Sequence, residues 1–250
     1  MLELRLALES LAAVDNRISI IIAALNEEAT IGSVVGELQR EVGVLMRECI
    51  VVDNGSTDQT QAVAARAGAR VVSEPRRGYG RACATGFERS DPKSAVLVFL
   101  DGDGSDVPAD IPGLAEKVIE GSCDFAIGSR IAGRRESGSL LASQVLAGWL
   151  SSTVIRLRYG VRYTDIGPMR AISRKALARL QMTEMTYGWN LEMQVKAAAM
   201  RLPTVELPVG YRCRRGGESK VAGSFKGSIR AATKLTQVML RMSVIARQAS

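Results

Sequence analysis

Apolar runs of strand length recur along the first half of the chain, separated by stretches of helix length. Residues 18–24 (ISIIIAA), 49–52 (CIVV), 70–72, 95–100 (AVLVFL) and 124–127 are largely β-branched or aliphatic. Unbroken runs of this kind belong to strands covered on both faces, whereas a strand with one wet face alternates apolar and polar residues. Residues 28–43, 58–67, 79–90 and 108–120 fill the gaps with helical lengths. The βαβα succession predicts an α/β fold whose central sheet is Rossmann-like, mostly parallel and flanked by helices.

After residue 130 the pattern loosens. Residues 131–138 read as a mobile loop, 139–158 and 186–200 as helices, and 203–211 as a strand leading into a basic, Gly-rich loop at 212–217. The stretch 225–247 reads as a basic amphipathic helix: Arg230, Lys234, Gln237 and Arg241 share one face, and Ala231, Leu235, Val238, Met242 and Ile245 form an apolar stripe. At 250 residues the expected organisation is a helical extension over 1–16, one α/β domain over 17–224 and a C-terminal helix over 225–250.

Composition excludes several chemistries. The chain has no histidine, so imidazole bases, Ser-His-Asp triads and His-ligated zinc are absent. Cys49, Cys83, Cys123 and Cys213 form no CxxC pair, which argues against a zinc knuckle or redox motif and fits a reduced cytosolic setting. The first residues, with acids at Glu3 and Glu9, do not read as a signal peptide. No apolar run approaches the ~18 residues of a membrane span. The net charge of +7 favours anionic partners; aromatic residues are only 4% and no nucleic-acid-binding motif is visible, so nucleic acid is not an expected partner.

In doubly wound sheets ligands collect beyond the carboxyl ends of the strands, and the polar clusters of this chain fall there: Asn26-Glu27-Glu28, the turn 53–58 (DNGSTD) and the turn 101–106 (DGDGSD). In DGDGSD, Asp101 and Asp103 converge on one hard cation, Mg²⁺ or Mn²⁺, if Gly102 and Gly104 let the chain turn sharply; the plainer alternative is a solvated acidic turn. Asp53 offers an acceptor to a base or ribose, while residues 56–58 suit a helix cap. Gly78, in RGYG, opens a helix and admits a close ligand, or simply gives a flexible helix start. Asp165, in TDIGPMR, is a candidate base or orienting carboxylate, with a turn cap as the alternative. The guanidiniums and lysine of Arg214-Arg215-Gly216-Gly217-Glu218-Ser219-Lys220 suit a phosphate, or form a solvated basic loop.

The succession LNEEATIG, IVVDNGSTD, RRGYGRACATGF, VLVFLDGDGSD and FAIGSR resembles the family 2 glycosyltransferases of GT-A fold. YTDIGPMRAISRKAL, GWNLEMQVKA and VELPVGYRCRRGGESKVAGS resemble its polyprenyl-phosphate branch, similar to dolichyl-phosphate-mannose synthases. The resemblance, over residues 17–230, implies a nucleotide pocket lined by Asn26, Glu27, Glu28 and Asp53, and a metal and diphosphate held by Asp101 and Asp103. It implies phosphate contacts from Arg130, from Arg134 or Arg135, and from Arg214, Arg215, Ser219 and Lys220, and a catalytic region that includes Glu192. The chain departs from the pattern at Ala23, where the family's first motif usually has Pro, and at Ser105, where synthases of that branch commonly carry a metal-binding Gln; no C-terminal transmembrane pair follows. The expected activity is metal-dependent, inverting transfer of a hexose from a GDP- or UDP-sugar to polyprenyl phosphate at the cytoplasmic membrane face, with contact through 225–247. The alternatives are transfer to a small soluble phosphorylated or hydroxylated acceptor, and a non-catalytic nucleotide- or lipid-binding module.

Overall fold

The computed structural model describes residues 17–216; the extension 1–16, Ser219, Lys220 and the stretch 225–250 lie outside them. The first half builds β1 (Ile18–Ala24), α1 (Ile31–Glu41), β2 (Met46–Asp53), α2 (Thr60–Arg66), β3 (Arg70–Ser73), α3 (Tyr79–Arg89) and β4 (Val96–Asp101). The second half adds α4 (Ile111–Ile119), β5 (Phe125–Ser129), α5 (Ala142–Tyr159), β6 (Arg170–Ser173), α6 (Arg174–Leu180), α7 (Trp189–Ala199) and β7 (Thr204–Pro208). Short 3-10 turns at Gly43–Leu45 and Pro108–Asp110 lead into β2 and α4.

The seven strands form one sheet in the order β3-β2-β1-β4-β6-β5-β7. Every pairing is parallel except those of β6, which runs antiparallel between β4 and β5. The apolar runs are strands covered on both faces: Ile20 and Ile22 of β1 pack with Leu38 and Leu114 on one side, and Ile21 packs with Ala82, Phe99 and Trp189 on the other. Helix α3 approaches the sheet through Gly86, where a Cβ would strike Ile21 Cγ2 and come within 3.2 Å of Val52 Cγ2.

Two elements are missing from the sequence reading, β6 and α6. Strand β6 reads RAIS, four residues beginning with an arginine, and Arg170 lies wholly buried. Its guanidinium is satisfied by the carbonyls of Gly167, Pro168 and Asn190 and lies over the Phe125 ring; burial draws its pKa down to about 10. A charge within a sheet, held by the carbonyls of the preceding turn and of Asn190, breaks the apolar pattern by which strands are read. The segment 131–138 also differs from the free loop expected, because Gly133 N–H donates to Ser129 O, Tyr211 N–H to Arg134 O and Glu136 N–H to Tyr211 O.

Register determines what the sheet presents at its carboxyl edge. Ala24 pairs with Asp53 on one side of β1 and Ala23 with Asp101 on the other, so the two acidic turns flank the Asn26-Glu27-Glu28 turn. Among the described residues no helix is long and apolar enough to cross a membrane. Substituting Gly86 by Ala is expected to lower stability by about 1–3 kcal/mol through overpacking, measured as a lower urea midpoint with unchanged m-value.

Candidate functional site

The first two polar turns are stapled to each other. Past β1 the backbone enters the left-handed region at Asn26 (φ 52°), a conformation in which Asn is tolerated better than most residues. Asn26 Oδ1 accepts the Thr57 N–H at 2.8 Å, and Asn26 N–H donates to Ser56 Oγ. Glu27 N–H donates to Thr60 Oγ1, Glu28 N–H to Asp58 Oδ2, and Glu28 Oε2 accepts from Gln59 N–H. Helix α2 starts only at Thr60, so residues 56–58 do less capping than cross-linking. Asp53 is buried; its carboxylate accepts from Ser56 N–H and from Gln61 Nε2 at 2.8 Å. Asn54, which sequence reasoning passed over, orders the neighbouring loop: its amide donates to the carbonyls of Glu74 and Arg76, and its oxygen accepts Gly78 N–H.

Gly78 does adopt a conformation reserved for glycine, φ 142°. The space that this opens is taken by the chain itself, since a Cβ on Gly78 would strike Met185 O and one on Gly80 would strike Glu184 O. Gly80 and Arg81 N–H donate to the carbonyls of Thr186 and Met185, so the start of α3 is covered by the loop ahead of α7. Glu192, at the start of α7, fastens that loop: it accepts from Thr183 N–H, Thr183 Oγ1 and Glu184 N–H and pairs with Lys196 Nζ at 3.0 Å. The arrangement gives Glu192 a positioning role for the segment lying on α3.

The third turn concentrates negative charge. Asp103 and Asp106 are buried with Asp101 beside them. Asp103 Oδ1 accepts Ser105 N–H and Asp106 Oδ2 accepts Asp101 N–H, whereas Asp101 Oδ1 and Asp106 Oδ1 are buried with no hydrogen-bond partner. Burial, and then the charge of Asp103, pushes the Asp101 carboxyl up to about 7; burial, and then Asp101, pushes Asp106 up as well. Among the described residues no group of three His, Cys, Asp or Glu side chains forms a metal cage. Two carboxylates with orphaned oxygens nearby do fit Mg²⁺ or Mn²⁺, ions commonly held by one or two carboxylates and completed by water and substrate phosphates.

Over this turn lies the basic loop 212–216. Arg212 N–H donates to Ser105 O and Arg215 N–H to Asp103 O, tying the two backbones together. Arg214 pairs with Asp103 Oδ2 at 2.8 Å and with Glu27 Oε1 at 3.5 Å, so it bridges the first and third turns. Arg212 and Arg215 both pair with Glu37 on α1, which sequence reasoning missed because Glu37 reads as a surface helix acid. Arg214 and Arg215 therefore rest on carboxylates, while Ser219 and Lys220 lie outside the described residues.

Arg130, just past β5, and Asp165 form the strongest pair of the site. Nε donates to Oδ2 at 2.7 Å and Nη2 to Oδ1 at 2.8 Å, and Oδ2 also accepts Arg130 N–H. Oδ1 accepts Ile166 N–H as well, and the Tyr211 ring lies under the guanidinium with its centroid at 4.9 Å. The pairing raises the Arg130 pKa and, although burial opposes it, lowers that of Asp165. A carboxylate so fully engaged is an orienting group and a poor proton acceptor. Tyr211 was legible only as the aromatic residue before the basic loop.

An open, mostly parallel sheet thus gathers acidic turns and arginines at the carboxyl ends of its strands, where ligands of such sheets collect. The chain belongs to the family 2 glycosyltransferases: residues 19–181 match the family described as Glycosyl transferase family 2. It is 37% identical over 214 residues to an uncharacterized glycosyltransferase of Mycobacterium tuberculosis, covering 85% of this chain and 93% of that one. It is 28% identical to an undecaprenyl-phosphate mannosyltransferase of Micrococcus luteus, over 84% of this chain and 90% of the relative. The glucosyl-3-phosphoglycerate synthase of M. tuberculosis, solved with Mn²⁺, UDP and glucosyl-3-phosphoglycerate, superposes with a TM-score of 0.73 at 26% identity, covering 92% of this chain and 82% of that one. The fold is accordingly GT-A, a single α/β domain, and the chain is a glycosyltransferase.

Asp165→Ala leaves the Arg130 guanidinium buried and unpaired, so unfolding by urea is expected to show a loss of about 3–5 kcal/mol. Because folding lowers the Asp165 pKa, its stabilisation is present above the unfolded carboxyl value of about 3.9 and is lost as pH falls through the lower folded value. The unfolding free energy of the variant should therefore fall less steeply with acid than that of the parent.

Proposed function

We propose that the chain transfers a hexosyl group from a nucleotide-diphosphate sugar to a phosphorylated acceptor, by in-line displacement with inversion at the anomeric carbon. The observation that carries this reading is the pair of partnerless buried oxygens on Asp101 and Asp106, beside Asp103 and under Arg214. Asp101 and Asp103 would hold Mg²⁺ or Mn²⁺, which when bound offsets the charge of the departing diphosphate. Asp53 is the acceptor for a base or ribose donor, since a carboxylate has about four lone-pair sites and its own turn uses only some of them. Asn26, Glu27 and Glu28 shape the same pocket by holding its two turns together.

The residues present favour a phosphate over a hydroxyl acceptor. A hydroxyl needs a base within hydrogen-bond reach, yet Asp165 is committed to Arg130 and Glu192 to Thr183, Glu184 and Lys196. A phosphate monoester, with a second pKa near ~6, arrives largely ionised and needs cations to place it. Arg134 or Arg135, on the exposed segment that pairs with Tyr211, would supply one, and Arg130, Arg214 and Arg215, although paired with Asp165, Asp103 and Glu37, add positive charge around it. As the phosphate oxygen bonds to the anomeric carbon, the bond from that carbon to the diphosphate breaks and its electron pair leaves with the nucleotide.

The likeness to an enzyme solved with glucosyl-3-phosphoglycerate supports a small phosphorylated acceptor. A second reading, polyprenyl phosphate, is supported by the likeness to the undecaprenyl-phosphate enzyme and by an exposed apolar helix, α5. A panel of UDP- and GDP-sugars with Mg²⁺ or Mn²⁺, offered 3-phosphoglycerate or polyprenyl phosphate, separates the two by the product formed. Asp103→Asn is expected to lower turnover by about 100-fold or more, at or beyond the upper end of what loss of a ligand's supporting group costs. Undiminished turnover in EDTA, or a product with retained anomeric configuration, would overturn the proposal.

A further inference from the structure

Helix α5 is apolar on a face that nothing in the described structure covers. Of its 18 residues only Ser151 and Ile155, one turn apart, are buried. Val145, Leu146, Trp149, Leu150, Val154 and Leu157 follow one another at helical spacing and are exposed, Trp149 by 62% and Leu157 by 82%. Exposed apolar surface of this extent marks an interaction site, and the charges around it select the occupant. Residues 137–164 contain three arginines, Arg156, Arg158 and Arg162, and no Asp or Glu.

We propose that α5 docks the protein on an anionic lipid surface, its apolar face entering the headgroup boundary and its arginines meeting lipid phosphates. A second copy of the same face would set arginines against arginines. The chain's own residues 217–250 carry six Lys or Arg and one Glu, so they too repel α5 by charge, whereas residues 1–16, with Glu3, Glu9 and Asp15 against Arg5, do not and are the competing occupant that the test separates from lipid. A negatively charged bilayer complements both the apolar stripe and the arginines, and a tryptophan on the stripe suits the interface between headgroup and hydrocarbon. The inference goes beyond the proposed reaction and holds for either acceptor.

The test is flotation of the full chain with phosphatidylcholine vesicles, with or without phosphatidylglycerol. Flotation is expected only with the anionic vesicles, falling with salt, and Trp149 emission should shift to the blue while the buried Trp189 contributes a constant background. Leu146→Glu with Leu157→Glu, both at exposed positions, should weaken binding by about tenfold or more, and Arg156→Gln with Arg158→Gln should remove the preference for anionic lipid. Three results would overturn the proposal. One is equal flotation with neutral vesicles. Another is loss of flotation in Lys234→Gln with Arg241→Gln while the α5 variants float normally. The third is no flotation with anionic vesicles, whether the protein is a monomer, which leaves residues 1–16 as the occupant, or a dimer by light scattering that the Leu146→Glu, Leu157→Glu protein fails to form. Donor hydrolysis measured without vesicles reports separately on the proposed reaction.

Discussion

The buried pair between Arg130 and Asp165 extends the antiparallel pairing of β5 with β6, in which Ile127 lies opposite Arg170 and Gly128 N–H donates to Met169 O, out to the carboxyl edge of the sheet. Arg130 leaves β5 at the carboxyl edge of the sheet, and the chain then runs through the segment 131–138 and the whole of α5 before returning at Asp165. Closing an excursion of this length costs conformational entropy. The return is fixed by two charge-assisted bonds in fork geometry, a third from the Arg130 N–H and an aromatic ring beneath the guanidinium. A lysine in place of Arg130 would keep the charge and lose the fork. Tyr211, held under Arg130, leads directly into the basic loop, so the same contact also sets where Arg212, Arg214 and Arg215 begin.

A second constraint is electrostatic. Three carboxylates share one turn, and burial makes each unfavourable as an anion unless a positive charge is near. Arg214 serves Asp103 and reaches Glu27, leaving Asp101 and Asp106 with raised pKa values and unpartnered oxygens. Such a turn is a poor way to stabilise a fold and a good way to attract a cation. A turn built on carboxylate oxygens offers donors to a hard ion without imidazole, in keeping with a chain that has no histidine.

The first half of the fold was legible because β1, β2 and β4 are covered on both faces, which writes them as apolar runs, while the short edge strand β3 was read from its two valines. β1 is recovered at its bounds, and β2 extends its apolar stretch by a less buried start, Met46, Arg47 and Glu48, and by Asp53 at its end. β6 was invisible for the opposite reason: it opens with Arg170, whose burial depends on carbonyls at residues 167, 168 and 190 that no local pattern announces. The site divides the same way. The acidic turns stand out as strand ends, but the partners that decide what many residues do lie far along the chain: Arg214 for Asp103, Thr57 for Asn26, Asp165 for Arg130 and Met185 for Gly78. Spacing reveals which residues carry chemistry, and packing decides which of them are already committed to the fold.

Helix α5 belongs to this same argument. Its beginning follows the segment that leaves Arg130, and its end, through Gly160, leads back to Asp165. A helix buried only at Ser151 and Ile155 contributes little to the core. Its apolar residues do not repay their exposure to water within the described fold, and its arginines find no carboxylate among its neighbours in sequence. The apolar stripe lies within one excursion of the chain, from Arg130 to Asp165, closed by the β5–β6 pairing, the Arg130–Asp165 ion pair and the Ser129–Thr164 hydrogen bond.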